Sequence, residues 1–153
     1  MTLPPALAGD LDRILALLHE TTTMVLATSM PDGTPRATPV FFAVHEGLRL
    51  VFLSDAGSIH SRNLRRAPEV SVALYPEESD WRRLRGLQMT GCAAALEESE
   101  AEAAQRAYTR RFDFLAELSQ ALVASQVYEF SPSWIRLIDN RRKFGFQQEW
   151  TLG

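Results

Sequence analysis

The stretch "SDAGSIHSRNLRRAPEVSV", Ser54 to Val72, carries the densest set of groups able to do chemistry. Its composition predicts a helix from about Ser58 to Ala67, stopped by Pro68. A helix start exposes backbone N–H groups and partial positive charge, so an anion such as a phosphate is stabilised there. Ser58 can accept a capping bond or donate to a phosphate oxygen, and His60 and Arg62 can add donors or charge. The competing reading is architectural: Ser58 caps the helix, and Arg62, Arg65 and Arg66 form a solvated face. Both readings predict the same helix.

Two further stretches can meet a ligand. In "RATPV", Arg36, Ala37, Thr38, Pro39 and Val40, small side chains and a proline leave backbone groups free to meet a planar molecule; an edge strand protected by its prolines explains the same pattern. In "RGLQMTG", Gln88 brings two donors and an acceptor to an otherwise apolar strand, and Arg85 is expected to pair with a glutamate of the 77–80 loop. The tail "DNRRKFGFQQEW" combines Asp139, three consecutive cations and the aromatic residues Phe144, Phe146 and Trp150. It reads as a hairpin with a charged tip, or, together with Trp134, as an aromatic wall offered to a flat cofactor by a second subunit.

Other chemistries lack their residues. His19, His45 and His60 are widely separated and have no metal-ligand spacing with the single cysteine, Cys92. There is no G-x-S-x-G, G-x-G-x-x-G or P-loop. Cys92, between Gly91 and Ala93, is expected as a small buried residue. No catalytic acid or base stands out, so any catalysis would draw its reactivity from a cofactor.

The elements that must position these residues are short strands and a few helices. Leu11, Ile14, Leu15 and Leu18 have helical spacing after Asp10, an expected N-cap, which predicts a helix over about 10–20. "TTTMVLATSM", "PRATPVFFAVH" and "EGLRLVFLS" predict three closely spaced strands in an antiparallel meander, with turns at "PDGT" and Gly47. "EVSVALYP" and "RGLQMTGCAAAL" add two strands, the second with bends or a bulge at Gly86 and Gly91. A helical segment over about 99–123, one helix or two with a break near Phe112–Phe114, precedes two final strands. The 153 residues make one domain spanning 1–153, and the sum of its elements is a closed or nearly closed β-barrel with peripheral helices. A net charge of -3 argues against broad nucleic-acid binding. The sequence predicts no signal peptide and no membrane span, and a single thiol suits a reducing compartment, so a cytoplasmic protein is expected.

Taken together, "TMVLATSMPDGTPRATPVFF", "LVFLSDAGSIHSRNLRRAPEVSVAL" and "RGLQMTGCAAAL" resemble the pyridoxamine 5'-phosphate oxidase-like flavin-binding split-barrel family. The pattern S-x-H-x-x-N-L-x-x-x-P-x-V after the third strand carries most of the resemblance. It implies a mainly β fold, a six-stranded antiparallel split β-barrel, as a homodimer binding FMN between subunits; relatives of this fold use deazaflavin or haem instead, with His45 or His60 the candidate haem ligands. It further implies that Arg36 to Val40 lie along the flavin ring and that Phe52, Leu53 and Ser54 flank the site. Ser58 and His60, with Arg62, would approach the phosphate; Gln88 would reach the cofactor, with Trp134 and Phe144 on the partner's side. The oxidases carry an Arg-Lys pair where this chain has Ile59 and His60, and their later His-Arg substrate motif is missing. The resemblance therefore implies a flavin-binding oxidoreductase of another substrate, or a non-enzymatic flavin sensor or carrier, rather than pyridoxamine phosphate oxidation.

Overall fold

The structure is a computed structural model that describes residues 3–117, 120 and 124–153. A 3-10 turn at Pro5–Leu7 leads into helix α1, Leu11–Glu20. Asp10 does not cap α1 with its side chain; its buried carboxylate takes Arg13 at 2.6 Å and Arg142 at 3.0 Å instead. Two cations outcompete a backbone N–H for one carboxylate because a charge-assisted bond is about twice as strong.

Strands β1 (Thr23–Ser29) and β2 (Pro35–Phe41) form a hairpin, and β3 (Ala43–His45) and β4 (Arg49–Asp55) form another. Helix α2 (Ile59–Arg66), β5 (Glu69–Leu74) and β6 (Arg85–Ala95) follow. Helix α3 (Glu98–Arg111) ends at Phe112, where the sequence places a break, and a 3-10 turn follows at Asp113–Ala116. Of the predicted helical span, 118, 119 and 121–123 lie outside the described residues. The chain closes with β7 (Ser125–Asp139) and β8 (Gln147–Thr151).

All pairs are antiparallel, in the order β2-β1-β5-β6-β7-β4-β3, with β8 also on β7. The expected meander is therefore corrected at one joint. Phe42 alone separates β2 from β3, yet the two lie at opposite ends of this order. The sheet curls so that β2 approaches β4 without pairing with it, which makes a barrel split along that seam. Six main strands, β1, β2, β4, β5, β6 and β7, build the split barrel, flanked among the described residues by helices α1, α2 and α3.

Alternation sends Met24 and Leu26 of β1, Leu50 and Phe52 of β4, Val70, Val72 and Leu74 of β5 and Leu87 and Met89 of β6 into one core. Phe52 stacks on Tyr128, ring centroids 5.2 Å apart. A second core under α3 joins Ala43, Val51, Ala104, Tyr108, Phe112 and Val127. The bulge expected in β6 lies on its neighbour instead: Thr90 pairs with Trp134 and Gly91 with Pro132, so Ser133 of β7 is the extra residue. A Cβ on Gly91 would stand 2.1 Å from the Ser131 carbonyl oxygen, so only glycine allows the strands to approach there.

The joint at Phe42 is held by one side chain. Arg111, the last residue of α3, donates to the carbonyls of Phe42, Leu18 and His19 at 3.1 Å each, and to that of Thr21. Its guanidinium also lies 5.0 Å from the Phe42 ring centroid and 5.7 Å from that of Phe112. Leu18 and His19 belong to the last turn of α1, whose carbonyls have no intrahelical donor and carry partial negative charge. Replacing Arg111 by alanine is expected to cost about 2–4 kcal/mol, because buried carbonyls lose charged donors. Lysine, with no planar fork, should recover less than half of that loss. Urea midpoints of the two variants check both statements.

Candidate functional site

Helix α2 starts where the sequence places it. Ser58, in extended conformation, accepts the Ser61 N–H at 3.2 Å and caps the helix. Its hydroxyl also donates to the Ser61 Oγ at 2.8 Å and lies 3.2 Å from His60 Nε2. Ser54, on the core-facing side of β4 beyond Phe52, lies 2.5 Å from the same nitrogen. Three hydroxyls and one imidazole thus form a connected cluster at the end of β4. The N–H groups of Ile59 and His60, in the first turn, have no acceptor among the described residues. Burial pushes the His60 pKa below the ordinary histidine value, so the ring is neutral at neutral pH.

Below the cap, Asn63 fastens the helix. It is buried, and its amide donates to Thr28 Oγ1 at 3.0 Å, on β1. Arg66 donates to the Ser29 carbonyl from the last turn, and Arg65 to that of Ala56 at 2.9 Å. The arginine run is therefore divided: Arg65 and Arg66 bind backbone, whereas Arg62 is exposed and makes no hydrogen bond or ion pair among the described residues.

Strand β2 lies at an end of the strand order, and its prolines, Pro35 and Pro39, fall on this edge as the sequence implies. The register pairs Arg36 with Thr28, Thr38 with Leu26 and Val40 with Met24, all core-facing partners. Cross-strand partners share a face, so Arg36, Thr38 and Val40 lie on the concave side of the sheet, and Ala37 and Pro39 on the convex side. Because the barrel is split beside β2, this concave strip stays open, and Arg36 is exposed with no salt bridge among the described residues. The edge also leaves alternate backbone groups of β2 unpaired. Ser54 and the α2 cap lie at the end of β4, the strand that β2 approaches across the seam.

Other predicted site residues lie elsewhere. The side chain of Phe52 is fully buried, and that of Leu53 packs toward α3, so within this chain only the backbone of these two can flank the mouth. Gln88 and Trp134 are on the convex face, joined through Arg136. The Arg136 guanidinium binds Glu149 at 2.9 Å, reaches Gln88 Oε1 at 3.4 Å and lies 5.0 Å from the Trp134 ring. The three line a shallow cavity of about 340 Å³ with the small residues Ala27, Ser71 and Ala73. Phe144 sits at the tip of the β7–β8 hairpin, 73% exposed, edge-on to Trp81 at 5.3 Å. One chain therefore presents two surfaces, a concave polar mouth and a convex shallow face.

Two expectations are corrected. Arg85 pairs with Glu20 of α1, at 3.1 Å through Nη1, not with the 77–80 loop, whose Glu78 and Asp80 take Arg83 and Arg82. Cys92 is exposed: Gln88, Thr90 and Cys92 fall on the outward face of β6 and Leu87, Met89 and Ala93 on the inward one, so its unbroken alternation puts Ala93, not Cys92, in the core. Sequence reading missed Ser61, Thr28 and Arg136 as members of these clusters. The i, i+3 spacing of Ser58 and Ser61 was the available signal for the first; the other two follow only from strand register. Among the described residues no helix is long and apolar enough to cross a membrane.

Comparison with known proteins places this geometry. A curated pyridoxine/pyridoxamine 5'-phosphate oxidase from Rubrobacter xylanophilus is 32% identical over 92 residues, 60% of this chain and 41% of that protein, so the match spans about two-fifths of that relative. A haem-binding protein from Mycobacterium smegmatis has the same fold, with TM-score 0.77 and 24% identity over 98% of this chain and 60% of its own. So has a conserved hypothetical protein from Mycobacterium tuberculosis, with TM-score 0.74 and 24% identity over 100% of this chain and 94% of its own. The family model for pyridoxamine 5'-phosphate oxidase matches residues 11–139, from the start of α1 to the end of β7. With most of the chain inside that match, and with the split barrel and the capped α2 in place, the chain belongs to the pyridoxamine 5'-phosphate oxidase family.

Proposed function

We propose that this protein binds FMN and acts as a flavin-dependent oxidoreductase, as a homodimer, on a substrate other than pyridoxamine phosphate. The observation that carries the reading is an open sheet edge at β2 together with an anion-suited helix cap at the end of β4, the strand β2 approaches across the seam. The donor set there fits a phosphate: the hydroxyls of Ser54 and Ser58, the His60 ring, two free N–H groups and the unpaired Arg62. The unpaired backbone groups of β2 suit the polar rim of a planar heterocycle, with Thr38 and Val40 beneath it. When bound, the flavin supplies the electron or hydride transfer. The chain's own part is to hold the phosphate, align the ring along β2 and hydrogen-bond its rim.

The second copy follows from the division of the site. Gln88, Trp134 and Phe144 do not reach the mouth of their own chain, yet the convex face has small residues suited to close packing. Two copies apposed through this face would bring each set to the other's mouth. Light scattering of the pure protein at micromolar concentration is expected to read twice the monomer mass; a monomer would remove this arrangement.

His60 sets the strength of the phosphate grip. A neutral ring donates without charge, whereas a lysine there would add a charge-assisted bond, worth about 1 kcal/mol more. FMN titration followed by flavin fluorescence should show binding by the wild type, at least tenfold weaker binding by Ser58→Ala/His60→Ala, and about fivefold tighter binding by His60→Lys. Parallel titrations with deazaflavin and haem discriminate the cofactor, a Soret band marking haem. Failure of the wild type to bind FMN would overturn the reading.

The same residue gives a stability signature. His60 has a folded pKa below its unfolded one, so the unfolded state binds more protons between the two values. Its contribution is complete above about pH 6.5 and is lost as pH falls through the lowered folded value. Denaturation midpoints of the ligand-free protein should therefore drop more steeply from pH 7.5 to 5 in the wild type than in His60→Gln. Parallel curves would show that His60 is not buried as described.

A further inference from the structure

We propose that the cleft between the β3–β4 hairpin and the start of α3 is a second ligand site, for a small organic amine, with His45 as its central acceptor. The cleft holds about 270 Å³, lined by His45, Glu46, Arg49, Ser99, Glu100 and Glu129, with Leu96 and Ala103 as apolar wall. At its floor Glu129, on β7, is almost fully buried and has both oxygens engaged: His45 Nδ1 lies 2.8 Å from one and Arg49 Nη1 3.3 Å from the other. A carboxylate only accepts, so Nδ1 is the protonated nitrogen of the His45 ring. In the neutral ring Nε2 is then left as a lone-pair acceptor, and among the described residues nothing donates to it. A histidine oriented by a buried carboxylate, with its other nitrogen unused, is prepared for an external partner.

The charge around the cleft selects that partner. Three carboxylates, Glu46, Glu100 and Glu129, face one guanidinium, and Arg49 is already shared between Glu129 and Glu46, the latter at 3.5 Å. The remaining groups are acceptors: His45 Nε2, the Glu100 carboxylate and the Ser99 hydroxyl, which can also accept. An ammonium group has three donors and no acceptor, and so complements this set. A few methylenes would lie on Leu96 and Ala103, and the volume, below that of drug-sized pockets, limits the ligand to a short chain.

Calorimetric titration of the full-length protein with 1,4-diaminobutane, and with uncharged 1,4-butanediol, tests the proposal. Saturable binding of the diamine with Kd of about 1 mM or tighter is expected, with none for the diol. Glu100→Gln, on an exposed turn of α3, and His45→Gln should each weaken binding at least tenfold, while Ser58→Ala/His60→Ala should leave it unchanged. Melting curves of the variants establish that each is folded, and Glu100→Gln keeps the test decisive if His45→Gln is not. No saturable binding, equal binding of the diol, or unaltered affinity in Glu100→Gln would overturn the proposal, as would binding of Zn²⁺ without the diamine.

Discussion

Arg111 holds the point where the chain changes edges of the sheet. One residue, Phe42, separates the β1–β2 hairpin from the β3–β4 hairpin, although the two belong to opposite ends of the strand order. Its carbonyl cannot join either ladder while the backbone reverses allegiance there, and the last carbonyls of α1 arrive beside it unpaired. One guanidinium, with five donors in a plane, meets both needs and carries its charge against the aromatic faces of Phe42 and Phe112. Burial lowers the Arg111 pKa from its usual value, but an arginine starts so high that it remains charged, which a lysine in the same place would do less securely. The seam beside β2, and with it the open mouth, exists because the chain is held at this crossing.

The mouth and the convex face differ in kind. At the mouth the groups are hydroxyls, a neutral imidazole and free N–H groups, with the fixed charges of Arg36 and Arg62 exposed to solvent. Such a set binds an anion through many weak donors rather than one strong ion pair, and its strength depends on the protonation state of a single ring. On the convex face Arg136 is already neutralised by Glu149, and its planar head spans Gln88 and Trp134. That face is preorganised and flat, suited to meeting another surface rather than enclosing a small molecule. The chain thus has its polar, unpaired groups where the sheet is split and its preorganised charged pairs where the sheet is continuous.

Much of this was legible in the residues. The alternation of Val70, Val72 and Leu74, the turn at "PDGT" and the break at Phe112 all lie where local propensity puts them. Ser58 as a cap and Pro35 and Pro39 on an edge strand are local statements too, since each depends on one backbone geometry. The failures have a common cause. Asp10 was read as a cap, but Arg142, far along the chain, takes its carboxylate. Arg85 was given a nearby loop partner, but α1 folds back and supplies Glu20. Cys92 shares the outward parity of Gln88 and Thr90, and which parity of β6 meets the core is set by its pairing with β5 and β7.

By itself the sequence determined most of the elements, the antiparallel, mainly β character with its helices and the membership of "SIHSR" in a helix start, because these depend on interactions within a few residues. Tertiary structure alone decided that β2 and β3 part company at Phe42, that Arg36, Thr38 and Val40 lie on the concave side of the sheet, and that Gln88 and Trp134 lie on the convex side. Those are matters of register and strand order, and in a sheet a shift of one residue or one strand reverses which side chain meets which partner. The energies that choose among such arrangements come from contacts between residues distant in the chain, above all the buried pairings of Arg111 and Asn63, which no local pattern specifies.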